Sequence, residues 1–139
     1  VVEPLHADCF YRSLAARRPV VVEGSLDTVM AGLACGEVSE LAWEILRGGA
    51  SAAVRLDDAY ALEAMKVLAA PAAGDPPIVA GETGGAGLGA LLAARDYPEM
   101  RATLALDADS RVLLLGSEGD TDPAIYRRVV GRSAQEVLA

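Results

Sequence analysis

Apolar and polar positions fall in alternating blocks along this chain. Short apolar or β-branched runs predict strands at residues 1–3, 52–56, 78–80 and 111–115, with a brief extended piece at 19–22. Pro4 ends the first strand because proline lacks a ladder donor. The run Arg111-Val112-Leu113-Leu114-Leu115 is the strongest strand signal, continuous as a sheet buried on both faces requires. Helical spacing predicts helices over 7–16, 40–47, 58–69 and 90–95, and a shorter one from Pro98 to about Leu104.

Stop and start signals sharpen these elements. Asp8 stands near the positive end of the first helix, which stops before Arg17-Arg18-Pro19. Ser25-Leu26-Asp27 is placed to cap a segment over 28–34, whose small residues suggest tight packing under Gly32 and Gly36. Ser39 caps the helix at 40–47, in which Leu41, Ile45 and Leu46 share a face, Glu44 and Arg47 pair, and Gly48-Gly49 terminates. Asp57 caps the next helix. Asp122-Pro123 opens another by cap and N1 proline, and Ser133-Ala134-Gln135-Glu136 fits a capping box. A loop rich in Pro and Gly spans 71–77. Strands alternating with helices predict an α/β fold, a three-layer sandwich with a mostly parallel sheet.

Composition narrows the classes. At 139 residues this is one domain, residues 1–139, large enough for a real core. Hydrophobic residues make up 53% but aromatics only 4%, so the core must be built from Ala, Val and Leu. A net charge of −8 argues against nucleic acid or an anionic membrane as partner. No apolar run approaches the roughly 20 residues of a membrane span, and no signal segment opens the chain. Cys9 and Cys35 make no disulfide framework; both are expected reduced and packed, as in a cytoplasmic protein. One histidine and no close cysteine pair argue against a structural zinc site. The chain opens on Val1-Val2-Glu3-Pro4 without an initiator Met, which suggests a piece of a longer protein.

The candidate chemistry centres on Gly81-Glu82-Thr83-Gly84-Gly85-Ala86-Gly87-Leu88-Gly89, between an apolar run and a helix. Glycines there cost conformational entropy and leave nothing to pack, so backbone must approach a ligand or another element closely. Free N–H groups at a helix start also face an acceptor. Gly116-Ser117-Glu118-Gly119-Asp120-Thr121-Asp122 is the partner turn at a second strand end, where ligands of open α/β sheets gather. Glu118, Asp120 and Asp122 would repel a phosphate, so that turn suits a neutral or cationic group, or is simply a capped, solvated turn. Gly85, Gly87 and Ala90 match the dinucleotide fingerprint G-x-G-x-x-G/A by letter, but Asp107 and Asp109 precede the following strand instead of ending it. His6 has no Ser or Cys partner in motif spacing and reads as a surface or interface residue. Lys66 lies three residues after Glu63 and reads as a surface ion paired to it.

Several stretches together resemble the diaminopropionate ammonia-lyases: Val2-Glu3-Pro4 with Ala7-Asp8-Cys9, residues 26–37, Gly74-Asp75-Pro76, Gly81-Glu82-Thr83-Gly84, and Glu118-Gly119-Asp120-Thr121-Asp122, in that order. More distantly, the element order resembles the wider group of tryptophan-synthase-β-like pyridoxal-phosphate enzymes, which includes serine and threonine dehydratases. The resemblance implies a homodimeric, pyridoxal 5'-phosphate-dependent lyase that eliminates ammonia from 2,3-diaminopropionate to give pyruvate and a second ammonia. It implies cofactor-binding roles for Ser117, at the position that hydrogen-bonds the pyridine nitrogen, and for Glu82, Gly84 and Gly85, in the loop lining the ring. Gly116 stands where relatives also carry Ser, and Thr83-Gly84-Gly85 where they commonly carry Ser-Gly-Ala. At Lys66 they usually have Arg.

The family's Schiff-base lysine, phosphate-cradling glycine loop and acidic proton-transfer residues belong to a region before Val1. The resemblance therefore makes this chain the C-terminal portion of the fold, with no catalytic residue and no metal ligand of its own. Alone it is expected to be inactive. The alternatives are a fragment of a serine/threonine dehydratase-like enzyme, a non-catalytic binding or oligomerisation domain, and a nucleotide-binding domain.

Overall fold

A computed structural model describes residues 1–72 and 74–139. Strands β1 (Val2–Pro4) and β2 (Val54–Leu56) pair in parallel, Val2 opposite Val54 and Pro4 opposite Leu56. Pro4 thus lies within the register, and the Leu5 N–H carries the ladder on by donating to the Leu56 carbonyl at 3.1 Å. The connection between the strands holds α1 (Cys9–Ala16), a 3-10 turn (Ala31–Leu33) and α2 (Glu40–Gly49). After β2 come α3 (Asp58–Ala69), α4 (Ala86–Asp96), α5 (Pro98–Thr103), α6 (Pro123–Val130) and α7 (Ala134–Leu138).

Most caps act as their residue types require. Ser39 accepts from the Ala42 N–H, Asp57 from Ala59, Asp122 from Ala124 and Ile125, and Ser133 forms the full capping box with Glu136. Helix α1 is capped differently. Asp8 makes no cap bond; the buried Glu3 of β1 reaches over and accepts from Phe10 N at 2.9 Å and Tyr11 N at 2.6 Å. Asp8 is instead paired with Arg12 at 2.7 Å and lies 3.6 Å from Arg55.

Helix α4 packs against α3 and both strands. It begins at Ala86, within the glycine run and four residues earlier than its spacing predicts. Gly87 and Gly89 are therefore helical, and Gly85 is the helix N-cap residue. At Gly89 a Cβ would lie 2.9 Å from Leu56 Cδ2 and 3.0 Å from the Tyr60 carbonyl, and packing against β2 and α3 excludes any side chain. One core joins Met30, Leu56, Ala61, Ala86 and Ala93; another joins Met65, Ala69, Tyr126 and Val137. Small residues dominate where α3 meets α4, as the aromatic-poor composition demands.

Several expectations fail. Residues 111–115 form no strand: they make no backbone hydrogen bond among the described residues, and Leu113 and Leu115 are each 85% exposed. An apolar run becomes a strand only beside a partner, and none lies there; residues 78–80 are likewise outside any ladder. The sheet among the described residues is two strands, paired in parallel, and the α/β class with a parallel sheet holds. Residues 28–34 hold only the 3-10 turn, because Asp58 of α3 accepts from the Thr28 hydroxyl at 2.6 Å and Val29 N at 2.8 Å. Those bonds compete with an α-helical start. On α2 the buried side chain is Trp43, while Leu41 and Ile45 face outward at 75% and 65% exposure. The loop at 71–77 includes Ala73, which lies outside the described residues.

Candidate functional site

The two glycine-bearing turns are in contact. The Gly81 N–H donates to the Glu118 carbonyl at 3.3 Å. Glu118 Oε2 accepts from Thr83 N at 3.0 Å and Gly84 N at 3.3 Å, and its Oε1 from the Thr121 hydroxyl at 2.7 Å. A Cβ at Gly81 would run into the Gly119 carbonyl, and one at Gly84 into the Glu118 carbonyl. The neighbouring turn demands glycine at both positions. Gly85 differs again: it is the N-cap residue of α4, with the Ala61 and Gly81 carbonyls each 3.3 Å from a Cβ built on it.

The four residues singled out in the sequence fall on these two turns. Ser117, between Gly116 and Glu118, is exposed. A Cβ at Gly116 would lie 3.6 Å from the Gly84 carbonyl, so both neighbours of Ser117 come close to Gly84. Glu82 is only 5% exposed, and its carboxylate takes part in no hydrogen bond or ion pair among the described residues. Its oxygens are not among the fully enclosed side-chain atoms that lack a partner, so solvent can satisfy the carboxylate at the edge of the turn. The Thr83 hydroxyl accepts from Gly32 N at 3.1 Å, tying the 3-10 turn to the same wall.

Glu118 is the residue that sequence reasoning misjudged. Among the acidic residues of its turn it looks repulsive to anions. Yet its carboxylate is satisfied by the N–H groups of the facing turn. Burial works to raise its pKa, but donation from the Thr121 and Thr83 side chains and the Thr83 and Gly84 amides outweighs burial. Its carboxyl is held below the usual range. A signal was present in the spacing of Glu118 and Thr121, which places a hydroxyl beside the carboxylate within one turn.

The remaining candidates stand apart. His6 is exposed, in keeping with a surface residue. Lys66 is exposed too, but Glu63 pairs with Arg95, 3.4 Å away on α4, and not with Lys66. Both cysteines are free; Cys9 is buried, whereas Cys35 is exposed and not packed as expected. Burial first, and then Glu3, push the Cys9 thiol up to about 12, which makes it a poor nucleophile. No group of three metal-ligating side chains occurs among the described residues, and no described helix is long and apolar enough to cross a membrane. A groove of about 1000 Å³ beside Trp43 and Arg18, and another of about 720 Å³ beside Arg55 and Tyr97, are not lined by either glycine-bearing turn. The two turns, hydrogen-bonded to each other, form one continuous wall.

A family model described as "Pyridoxal-phosphate dependent enzyme" matches residues 1–118. Diaminopropionate ammonia-lyase of Escherichia coli (strain K12) is 46% identical over 133 residues, covering 94% of this chain and 33% of the relative. The crystal structure of the Escherichia coli lyase in complex with an aminoacrylate-PLP azomethine reaction intermediate superposes with a TM-score of 0.84 at 44% identity, covering 93% of this chain and 33% of that one. A threonine deaminase from T.th. superposes with a TM-score of 0.61 at 28% identity, over 69% of this chain and 34% of that one. The chain spans about a third of the length of the curated lyases it matches. With the family match running through most of its length, this chain belongs to the pyridoxal-phosphate dependent enzymes.

Proposed function

We propose that residues 1–139 form one domain, the C-terminal portion of a pyridoxal-phosphate-dependent ammonia-lyase acting on 2,3-diaminopropionate, with pyruvate and ammonia as products. The observation that carries this reading is 46% identity to a diaminopropionate ammonia-lyase across 94% of the chain. The placement toward the C-terminus rests on the family resemblance alone, which assigns the Schiff-base lysine and the phosphate-cradling glycine loop to a region before Val1. Residues that follow Ala139 in the intact protein, in place of residues preceding Val1, would overturn that placement.

The two turns fit a cofactor ring. Glu82 is a largely buried residue whose carboxylate has no protein partner among the described residues, and Ser117 is an exposed residue between Gly116 and Glu118, both of which lie close to Gly84. In this reading Ser117 hydrogen-bonds the pyridine nitrogen, and Glu82, Gly84 and Gly85 line the ring. Pyridoxal phosphate, when bound, supplies the electron sink for removal of the α-proton and loss of the β-amino group. A hydroxyl partner leaves the pyridine nitrogen largely unprotonated, which moderates that sink and favours prompt elimination. The lysine that holds the cofactor and the groups that move the proton come from the rest of the lyase, so this chain contributes orientation alone.

The complete protein is read as a cytoplasmic homodimer. The free thiols Cys9 and Cys35 support a reducing compartment, and the outward Leu41 and Ile45, one turn apart on α2, offer an apolar strip that a second copy would cover.

The test is pyruvate release from 2,3-diaminopropionate by the intact protein, with the 139-residue chain alone as control. Pyruvate from the intact protein only is expected. Turnover of serine or threonine without diaminopropionate would move the assignment to a dehydratase, the second reading, which the likeness to threonine deaminase favours. A stable intact protein with no affinity for pyridoxal phosphate would reduce the chain to a binding or oligomerisation domain.

A further inference from the structure

One carboxylate, that of Glu118, joins the two glycine-bearing turns. Its Oε2 accepts from Thr83 and Gly84, and its Oε1 from Thr121, while its backbone carbonyl accepts from Gly81. Thr83 in turn accepts from Gly32 through its hydroxyl. Both carboxylate oxygens are thus engaged by protein donors. The side chain sits between the turn that carries Ser117 and the turn that carries Glu82 and Gly84. Glycine is required at 81 and 84 because the Glu118–Gly119 backbone fills the space a Cβ would need. Carboxylate and glycines therefore form one fitted joint.

We propose that Glu118 is a positioning residue for the cofactor wall, setting the distance between Ser117 and the Gly81–Gly85 turn. The proposal rests on the lyase reading above for what the wall faces, but not for the joint itself. A hydroxyl serves a ring nitrogen only when held within about 0.5 Å of the productive geometry, and a glycine-rich turn cannot hold itself there. Charge-assisted bonds from two adjacent amides supply the restraint that missing side chains cannot. The acidic character of the Ser117 turn then has a structural use that does not involve an anionic ligand.

Amide hydrogen exchange on the 139-residue chain tests the joint without cofactor. In Glu118→Ala the Thr83 and Gly84 amides should exchange about tenfold faster or more, while Ala90 and Ala93 within α4 keep their protection. Glu118→Gln, whose amide oxygen can replace Oε2, should restore most of the protection. Unchanged exchange at Thr83 and Gly84 in Glu118→Ala overturns the joint. In the intact lyase, Glu118→Ala should need about tenfold more pyridoxal phosphate for half-maximal bound-cofactor absorbance, with Glu118→Gln close to wild type. Wild-type cofactor affinity in Glu118→Ala overturns the positioning role. A wild-type intact protein that takes up no pyridoxal phosphate instead overturns the lyase reading, and the exchange result then judges the joint by itself.

Discussion

Gly89 lies so close to Leu56 that a methyl group added to it would stand 2.9 Å from the Leu56 Cδ2 atom. The same added methyl would press on the Tyr60 carbonyl, which belongs to α3 and cannot swing away. Gly87, two residues earlier in α4, would meet only Leu114, at 3.4 Å. The two glycines should therefore respond to alanine with opposite signs. Gly89→Ala is expected to lower stability by about 1–2 kcal/mol, overpacking outweighing its helix propensity. Gly87→Ala should raise stability by up to about 1 kcal/mol. Urea midpoints of the two variants check this; a stabilising Gly89→Ala would refute the packing argument.

Glu3 holds the first turn of α1 from outside the helix. Glu3→Ala leaves the Phe10 and Tyr11 N–H groups without their acceptor and should cost about 1–2 kcal/mol. Glu3→Gln keeps an acceptor and should lose less. Thermal melting of both variants measures the difference, and identical curves for Glu3→Ala and wild type would remove Glu3 from the capping role.

Stability should carry a pH signature of Glu118. Its folded-state pKa lies below its ordinary value of 4.5, so its contribution is present above that value and lost as pH falls through the folded pKa. Wild type should therefore exceed Glu118→Gln in melting temperature at about pH 6–7, and the gap should close on acidification below about pH 4.5. Because the side chain is partly solvated, the gap should also shrink in high salt. A gap that stays constant from about pH 7 to 3 would contradict the assignment.

Leu113 and Leu115 present an extended apolar run to solvent, with no ladder partner among the described residues. Unpaired strand-like segments seek one another. The isolated chain is expected to self-associate through residues 111–115, and Leu113→Lys with Leu115→Lys should return it to a monomer without loss of helix. Light scattering alongside circular dichroism reads both properties. A monomeric wild type at high concentration would show that the run is inert.

Legibility in the sequence followed the range of each interaction. Ser39, Asp57, Asp122 and Ser133 were readable as caps because a cap bonds within three residues of itself. The cap of α1 was not, because its acceptor, Glu3, lies on a neighbouring strand. The helix start at Ala86 was hidden by the low propensity of Gly87 and Gly89, which tertiary packing overrides. A strand at 111–115 was legible as an apolar pattern, but pattern carries no information on whether a neighbour is there to pair. For the site, the position of two turns after apolar runs was enough to bring Ser117 and Gly84 together. The joint through Glu118 was hidden, because acidic side chains in a loop suggest solvent before they suggest backbone amides.

The parallel pairing of β1 with β2 also bears on how this polypeptide matures. Val2 and its partner Val54 are 52 positions apart. At a translation rate of about 5–20 residues per second, the earlier strand waits roughly 3–10 s before its mate has been synthesised. A loop of that length closes only at an entropic cost that local helices do not repay. Through that interval Val2 and Pro4 remain unsheltered in the nascent chain, a window in which a chaperone that binds short apolar segments has its opportunity.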